Sequence, residues 1–442
     1  MKIAFVSQPI DVVIPPKQNS VGACTYWAAR PFARSAEVLV YGSKDINPDP
    51  SAVAAESGIT FRFFAATRLD RLLFKLRTKF YKLVGSGSPV STSRWMFPAY
   101  GRRVAQDLAK EHCDVIHLQH CSQYIPVIRA MNPRAKIILH LHGEWFSQTN
   151  PAALTSRLEQ IDLLTTVGNH ITEKTKRTFP RFADRCETTY NGIDPQEFAR
   201  QKDYEEQRKR PIKRILYSGA VSPHKGLHIL LQAFVIVARK FPNVVLDIVG
   251  PVGNYPIEEN FDLRDDRELI KTIEQFYDNG LWANIKTRFS TAGSRHDKYW
   301  RHLQSLLPAE LAEKVNFRGF ITRAEVIDSY YESDIFAFAP IWDEGFGLPP
   351  VEAMAAGLPV VTTRSGTVPE TVIDGTTGFV VEKNSVEALA RGLLILLEDD
   401  DRREAMGRAG RRRMFQHFLW DSIAEDMRVR YEALSQPKTV VA

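Results

Sequence analysis

The sequence predicts an α/β chain built as two doubly wound domains, and three observations carry that prediction. From Lys2 to Tyr41 a strand, a glycine-containing loop, a helix and a second strand follow one another, the order of a βαβ unit. A second series of the same kind opens at Arg214 with RILYSG. Between them lies ARQKDYEEQRKRPIK, residues 199–213, whose charge and proline are those of a linker. A chain of 442 residues is too long for one small core. The expected division is 1–198, a linker at 199–213, 214–415, and a last helix, 416–442, returning to the first domain. No internal repeat with a period of 20 to 50 residues is visible.

Composition narrows the class. With 44% hydrophobic and 25% charged residues the chain reads as a soluble globular protein. Its net charge of +6 suits phosphates or an anionic membrane surface and is too weak to point to nucleic acid. Cys24, Cys113, Cys121 and Cys186 are scattered, with no C-x-x-C pair, so a reducing cytosol is expected. The opening MKIAFVSQPIDVV reads as a strand, not a signal-peptide core. No apolar run approaches the ~18 residues of a spanning helix.

In the first series, Lys2 to Ser7 reads as a buried strand. A loop through Pro15-Pro16 and Asn19-Ser20-Val21-Gly22-Ala23 leads to a helix expected over Tyr26–Ala36 and a strand over Glu37–Tyr41. Gly22 is either a plain turn glycine or one that lets backbone approach a ligand. Gly85-Ser86-Gly87-Ser88-Pro89 is a flexible loop by composition. Asp114 to His117 and Lys136 to His142 are strand-like, and period two places His140 and His142 on one face. His142 stands at its strand's end, where ligands bind in open α/β sheets. His117, His120, Cys121, His140 and His142 together also admit a metal reading. Asn191-Gly192 is a turn packed by Phe198.

In the second series YSGAVSPHKGLHILLQAF places Gly219 after a strand and Lys225-Gly226 before an amphipathic helix. Val244 to Val249 is a strand. Residues 251–308 are polar, basic and aromatic, with Phe289, Arg295, Tyr299, Trp300 and Arg301 among them, and read as an elaboration. Val315 to Phe320, VNFRGF, is a strand and loop holding Gly319. Residues 385–400 and 402–433 are helical by pattern.

The informative stretch runs from Asp334 to Glu382. An apolar strand from Ile335 leads into Asp343-Glu344-Gly345-Phe346-Gly347-Leu348, and Pro349-Pro350 opens a helix that Gly357 ends. Glu344 and Glu352, seven residues between them, frame the loop. Gly345 and Gly347 let backbone come close to a ligand, and the free N–H groups of the helix start favour an anion. Carboxylates for hydroxyls beside backbone for phosphate suit a nucleotide sugar.

The segment EGFGLPPVEAMAAGLPVV resembles the signature of the retaining nucleotide-sugar glycosyltransferases called group 1 or family 4, with their E-x7-E spacing. YNGIDPQEF and YSGAVSPHKG resemble two further family elements. The resemblance is strong over about 214–435 and thinner over 1–198. It implies the GT-B fold, two facing Rossmann-like domains with a cleft between them. It also implies metal-independent transfer of a sugar, with retention, from a nucleotide diphosphate sugar to the hydroxyl of a sugar, glycolipid or other acceptor, as in polysaccharide or glycolipid assembly. The donor is then a substrate, and no cofactor is expected. By resemblance His142 lies near the reacting centre, Glu344 holds sugar hydroxyls, Glu352 the ribose, and Lys225 the pyrophosphate. Gly22, Gly219, Gly319, Gly345, Phe346, Gly347 and Leu348 complete the donor site. Many members carry an arginine directly after the first glycine of the second domain; here Ala220 stands there. Two rivals accompany this reading: a metal-dependent hydrolase using His117, His120, His140 and His142, and a non-catalytic nucleotide-sugar-binding protein of the same fold.

Residues 68–84, RLDRLLFKLRTKFYKLV, combine a helical apolar stripe (Leu69, Leu72, Leu73, Leu76, Phe80, Leu83) with six cations against Asp70. Such a helix belongs either to a domain core or to an anionic membrane surface. The expected place of the protein is the cytoplasm, with the inner face of the membrane as the alternative.

Overall fold

The computed structural model describes residues 1–84, 93–146, 151–251, 267–276 and 297–436. The chain forms two compact units, Met1–Asp194 joined by the C-terminal stretch from Phe418, and Pro195–His417.

The first unit holds a parallel sheet of β1 (Lys2–Val6), β2 (Glu37–Ser43), β3 (Thr60–Phe64), β4 (Val115–Gln119), β5 (Lys136–Leu141), β6 (Leu163–Thr166) and β7 (Cys186–Thr188). Their order across the sheet is β3-β2-β1-β4-β5-β6-β7. Strands buried on both faces must be largely apolar; Ile3 to Val6 is so throughout, and Val115 to Leu118 is interrupted by His117 alone. The helix after β1 is Ser20–Phe32, and so begins well before the expected Tyr26. The reason is Asn19, whose side chain accepts from Gly22 N–H at 3.0 Å and caps the helix there. Helix Trp420–Ser435 packs back on this unit: Tyr431 stacks on Phe32 with centroids 5.7 Å apart, and Leu419 pairs with Ile193.

The second unit holds β8 (Lys213–Ser218), β9 (Val244–Val249), β10 (Val315–Gly319), β11 (Ile335–Phe338), β12 (Val360–Thr363) and β13 (Gly378–Val381). They too are parallel, in the order β10-β9-β8-β11-β12-β13. In each unit the direction of winding reverses once, between β1 and β4 and between β8 and β11. The crevice at the carboxyl end of such a reversal is where open α/β sheets bind ligands.

Residues 199–213, expected as a linker, are instead built into the second unit. The Lys202 ammonium is buried and donates to the carbonyls of Tyr330, Tyr331 and Ser333 at 3.0, 2.9 and 2.6 Å. Tyr204 donates to Gly357 O at 2.8 Å. A charged composition concealed these contacts because here the cation satisfies backbone acceptors rather than water. Of the 251–308 elaboration, helices Arg267–Glu274 and Asp297–Ser305 are described, while Phe289 and Arg295 lie outside the described residues. Tyr299 Oη lies 3.3 Å from His228 N and 3.1 Å from its Nδ1, and Trp300 meets Phe317 edge-on, tying the elaboration to the second sheet. The glycine loop at 85–89 also lies outside the described residues.

Candidate functional site

The reversal between β8 and β11 brings two loops of the second unit together. One leaves β8 through Gly219 and reaches Pro223-His224-Lys225; the other leaves β11 through Ala339 to Gly347. Ile341 N–H donates to His224 O at 3.0 Å, zipping the loops side by side. Gly226 permits this approach: its φ is 66°, and a Cβ there would lie 1.7 Å from Ala339 O.

Lys225 Nζ meets Glu344 Oε1 at 2.6 Å, and Trp342 Nε1 donates to the same oxygen at 2.5 Å. The ammonium also lies 4.9 Å from the centre of a Trp342 ring. Both charged side chains are largely buried, so each depends on the other for its charge to be tolerated. The loop under Glu344 is pinned from β12's end. Glu344 N–H donates to Ser365 Oγ at 3.0 Å, and Glu344 O accepts from Thr367 N–H at 3.1 Å. Gly366 passes so close that a Cβ would lie 2.2 Å from Glu344 O. Asp343 accepts from Gly366 N–H at 3.0 Å and pairs with Lys383.

Gly347, with φ 78°, caps helix Leu348–Ala355, and prolines fill its first turn, where amide hydrogens would be unpaired. Phe346 is buried; Leu348, one residue past the cap, is half-buried. Glu352 lies one turn further on and belongs to a separate network. Its Oε1 accepts from Arg323 Nη1 at 2.7 Å and its Oε2 from Tyr330 Oη at 2.9 Å. Arg323 also grips Glu197, at 3.1 and 2.7 Å. Burial works against the Arg323 cation, but Glu352 and Glu197 outweigh it and hold its pKa above the ordinary arginine value.

At the ends of β8, β9 and β10 three glycines are stitched together. Gly219 N–H donates to Val249 O at 2.9 Å and Gly250 N–H to Gly319 O at 2.8 Å. A Cβ on Gly250 would lie 2.0 Å from Gly219 O, whereas one on Gly319 would meet nothing within 4 Å. Phe320, next to Gly319, is 72% exposed, a large apolar ring left in solvent.

In the first unit His142 follows the end of β5. Its Nε2 lies 2.6 Å from Gln119 Oε1, and its backbone N–H donates to His120 Nε2 at 3.2 Å. The ring abuts His140, centroids 4.6 Å apart, and desolvation pushes its pKa down to about 3, so it is neutral. His140 pairs with Thr165 Oγ1 at 2.8 Å and His117 with Tyr431 Oη at 2.5 Å. One ring nitrogen of each of the four clustered histidines is paired with a hydroxyl, an amide oxygen or a backbone N–H, while His117 Nε2 is buried without a partner among the described residues; the four rings do not bring three ligand atoms within 4.8 Å of one another, as a metal-hydrolase reading requires. Gly22 sits inside the first turn of helix Ser20–Phe32, its N–H committed to Asn19. A Cβ there would lie 1.9 Å from Val12 O, so the glycine serves the close passage of the Val12 backbone.

Sequence reasoning missed Trp342, Arg323 and Tyr330. Arg323 had a signal: Thr322 and Glu325 form a capping box, which places Arg323 in the first turn of helix Arg323–Glu332. Trp342, two residues before Glu344, had none beyond proximity.

Two doubly wound parallel sheets with helices, as found in these two units, are the α/β architecture called GT-B, that of a large class of glycosyltransferases. HepE of Anabaena, solved in complex with UDP and glucose, matches over 98% of this chain and 100% of its own, with a TM-score of 0.67 at 20% identity. The chain belongs to the group 1 glycosyltransferases: the family model "Glycosyl transferases group 1" matches residues 199–413, and "Glycosyltransferase Family 4" matches 52–197. Among relatives, spore coat protein SA of Bacillus subtilis (strain 168) is 25% identical over 75% of this chain and 82% of its own. A GDP-mannose-dependent α-(1-6)-phosphatidylinositol monomannoside mannosyltransferase of Mycobacterium tuberculosis is 38% identical over 26% of this chain and 31% of its own. The protein is thus a transferase enzyme.

Proposed function

We propose that this glycosyltransferase moves a sugar from a nucleotide diphosphate sugar to an acceptor hydroxyl with retention at the anomeric carbon and without a metal. The observation that carries the reading is the Lys225–Glu344 pair at the sheet reversal, beside the amino end of helix Leu348–Ala355. A pyrophosphate arriving there finds an ammonium and the positive end of the helix dipole, both able to stabilise charge that grows as the sugar–phosphate bond breaks. Lys225 turns from Glu344 to the phosphate, which leaves the Glu344 carboxylate for the sugar hydroxyls. Glu352, already holding a tyrosine hydroxyl, takes the ribose diol by the same chemistry. Gly219, Gly319, Gly345, Phe346, Gly347 and Leu348 supply the remaining donor surface. The neutral His142 ring, at the end of its strand, can donate or accept a hydrogen bond without adding charge.

Ala220 stands where many members carry an arginine, so Lys225 carries more of the phosphate binding. The acceptor is a sugar or glycolipid hydroxyl, in cell-surface polysaccharide or glycolipid assembly at the cytoplasmic face, with a peripheral membrane contact through residues 68–84. The test is a thermal-shift panel of nucleotide sugars, because a ligand that binds only the folded form raises the melting temperature. The donor it finds then goes into a transfer assay with the product's anomeric configuration read by NMR. An inverted product, or no shift with any nucleotide sugar, overturns the reading.

A further inference from the structure

Helix Asp400–His417 carries Arg408, Arg411, Arg412 and Phe415 at the i, i+3, i+4 and i+7 spacing of one helix face. These residues and Lys202 and Tyr204 of the second unit line a recess of about 300 Å³. Tyr204 is buried and fixed by its bond to Gly357 O. Gly407 lets the helix close on it: a Cβ there would lie 2.3 Å from Gly357 O and 2.8 Å from Tyr204 Oη. The Arg408 guanidinium lies 4.7 Å from the centre of the Tyr204 ring, and that of Arg411 4.5 Å from the centre of Phe415. Burial lifts the Tyr204 phenol to about 12 against the pull of Arg408, Arg411 and Arg412, so all three cations bear on this spot. Lys202 and Arg411 are engaged with backbone: the ammonium holds its three carbonyls, and Arg411 donates to Ala355 O and, at 2.8 Å, to Phe198 O. The other two cations keep donors to give. Arg408 donates through Nε alone, to Glu404 at 2.8 Å, and exposed Arg412 makes no hydrogen bond or ion pair among the described residues.

Like charges four residues apart on a helix repel, and among the described residues no carboxylate lines the recess to offset Arg408 and Arg412. Glu404, one turn back, holds Arg408 from outside it and leaves Arg412 uncompensated. We propose that the recess binds a phosphate dianion, free or carried on a sugar, with the Arg408 and Arg412 forks on its oxygens and Tyr204 and Phe415 as apolar walls for a sugar ring. A guanidinium is planar, permanently charged and able to grip phosphate by two bonds at once. The volume stands at the small end of ligand pockets, which suits an ion or a sugar phosphate better than a whole nucleotide sugar. The site is separate from that of the donor. Ala355, whose carbonyl Arg411 holds, ends the helix that Gly347 caps, and eight residues of helix are about 12 Å long. None of the residues proposed for the donor lines the recess.

The experiment is titration calorimetry of the purified full chain, without donor or acceptor, with glucose 6-phosphate, inorganic phosphate and glucose as probes. Glucose 6-phosphate is expected to bind and glucose not to. Tighter binding of glucose 6-phosphate than of inorganic phosphate assigns the sugar-borne source, and equal affinities assign the free ion. Arg408→Gln/Arg412→Gln should lower the affinity for the bound phosphate at least tenfold. It should not lower the melting temperature of the free protein, because both side chains are exposed and their repulsion is removed. Arg412→Lys, which keeps the charge but not the fork, should lose less than the double variant. Lys225→Ala should bind as wild type does. No binding of either phosphate overturns the proposal, as does equal binding of glucose or undiminished binding by the arginine variant. Binding lost in Lys225→Ala and kept in the arginine variant would put the anion in the donor site and overturn it too. Because no nucleotide is present, failure here leaves the transfer reading intact, and failure of the nucleotide-sugar panel leaves this one intact.

Discussion

Lys225 and Glu344 lie 119 residues apart in sequence and 2.6 Å apart in space, held there by loops that leave adjacent strands of the second sheet. A cation and an anion so placed neutralise each other until an anionic ligand competes for the cation. Lys225→Ala is therefore expected to abolish most transfer and nucleotide diphosphate binding, and Glu344→Ala to lower turnover tenfold or more. A charge-assisted hydrogen bond of this kind contributes about 1.5–3 kcal/mol. Calorimetry with the nucleotide diphosphate checks both, and Lys225→Ala binding it as well as wild type would place the pyrophosphate elsewhere. Ala220→Arg should tighten the diphosphate.

Arg323 clamps Glu352 and Glu197 at once. Arg323→Leu leaves two carboxylates facing each other without a cation. Since both are partly exposed, solvent takes up part of the penalty, and the expected loss is about 2 kcal/mol, read from the urea midpoint. Glu352→Ala should mainly raise the donor KM. An unchanged midpoint for Arg323→Leu would show that the clamp contributes nothing to the fold.

Gly226→Ala tests the contact between the two loops. The new methyl would overlap Ala339 O, and the backbone φ of 66° disfavours any side chain. The variant is expected to lose nucleotide binding and several degrees of melting temperature, while Gly319→Ala, where nothing stands within 4 Å, pays only for its φ of 67°. Equal melting temperatures for the two variants would contradict the steric account.

The histidine cluster makes the first unit sensitive to acid. Burial pushes His117 and His142 down to about 3, below their ordinary value of 6.5, so the unfolded chain takes up protons first. Stability is full above about pH 6.5 and falls as pH drops toward 3, by on the order of 1 kcal/mol per pH unit for each ring. Asp11 works the other way. Burial raises it to about 7, so protonation below that pH favours the fold and offsets about one ring. Denaturant titrations at pH 7 and pH 5 should show a net loss, reduced in His117→Phe. A flat profile would mean that the rings are hydrated.

The sequence disclosed the parallel sheets, because their strands are continuous apolar runs between glycine loops and amphipathic helices. It also disclosed Glu344, Glu352 and Lys225 as site candidates, since each sits in a motif with its own punctuation. It did not disclose that Glu344 and Glu352 bind different partners, a matter of which loop lies across the sheet from each. Nor could periodicity orient helix Arg68–Val84: Leu69 and Phe74 are both apolar, and the deciding residue is Asp70, whose bonds to Thr67 and Ala99 are tertiary. Lys202 misled by its charge, having backbone carbonyls in place of water.

The first unit is closed by residues that follow the whole of the second unit in the chain. Tyr431 stacks on Phe32 and reaches His117, and Phe418 O accepts from Ile193 N–H, yet the whole of the second unit lies between them in the chain. On the ribosome, then, the first sheet emerges before the second but lacks its closing helix until the whole second unit has been made, by which point Pro195–His417 has every residue it needs. The usual order, in which the leading domain is complete before the next appears, is inverted. Nascent chains arrested before Trp420 should be cut by protease in the first unit and resist it in the second, and release of the last helix should protect both.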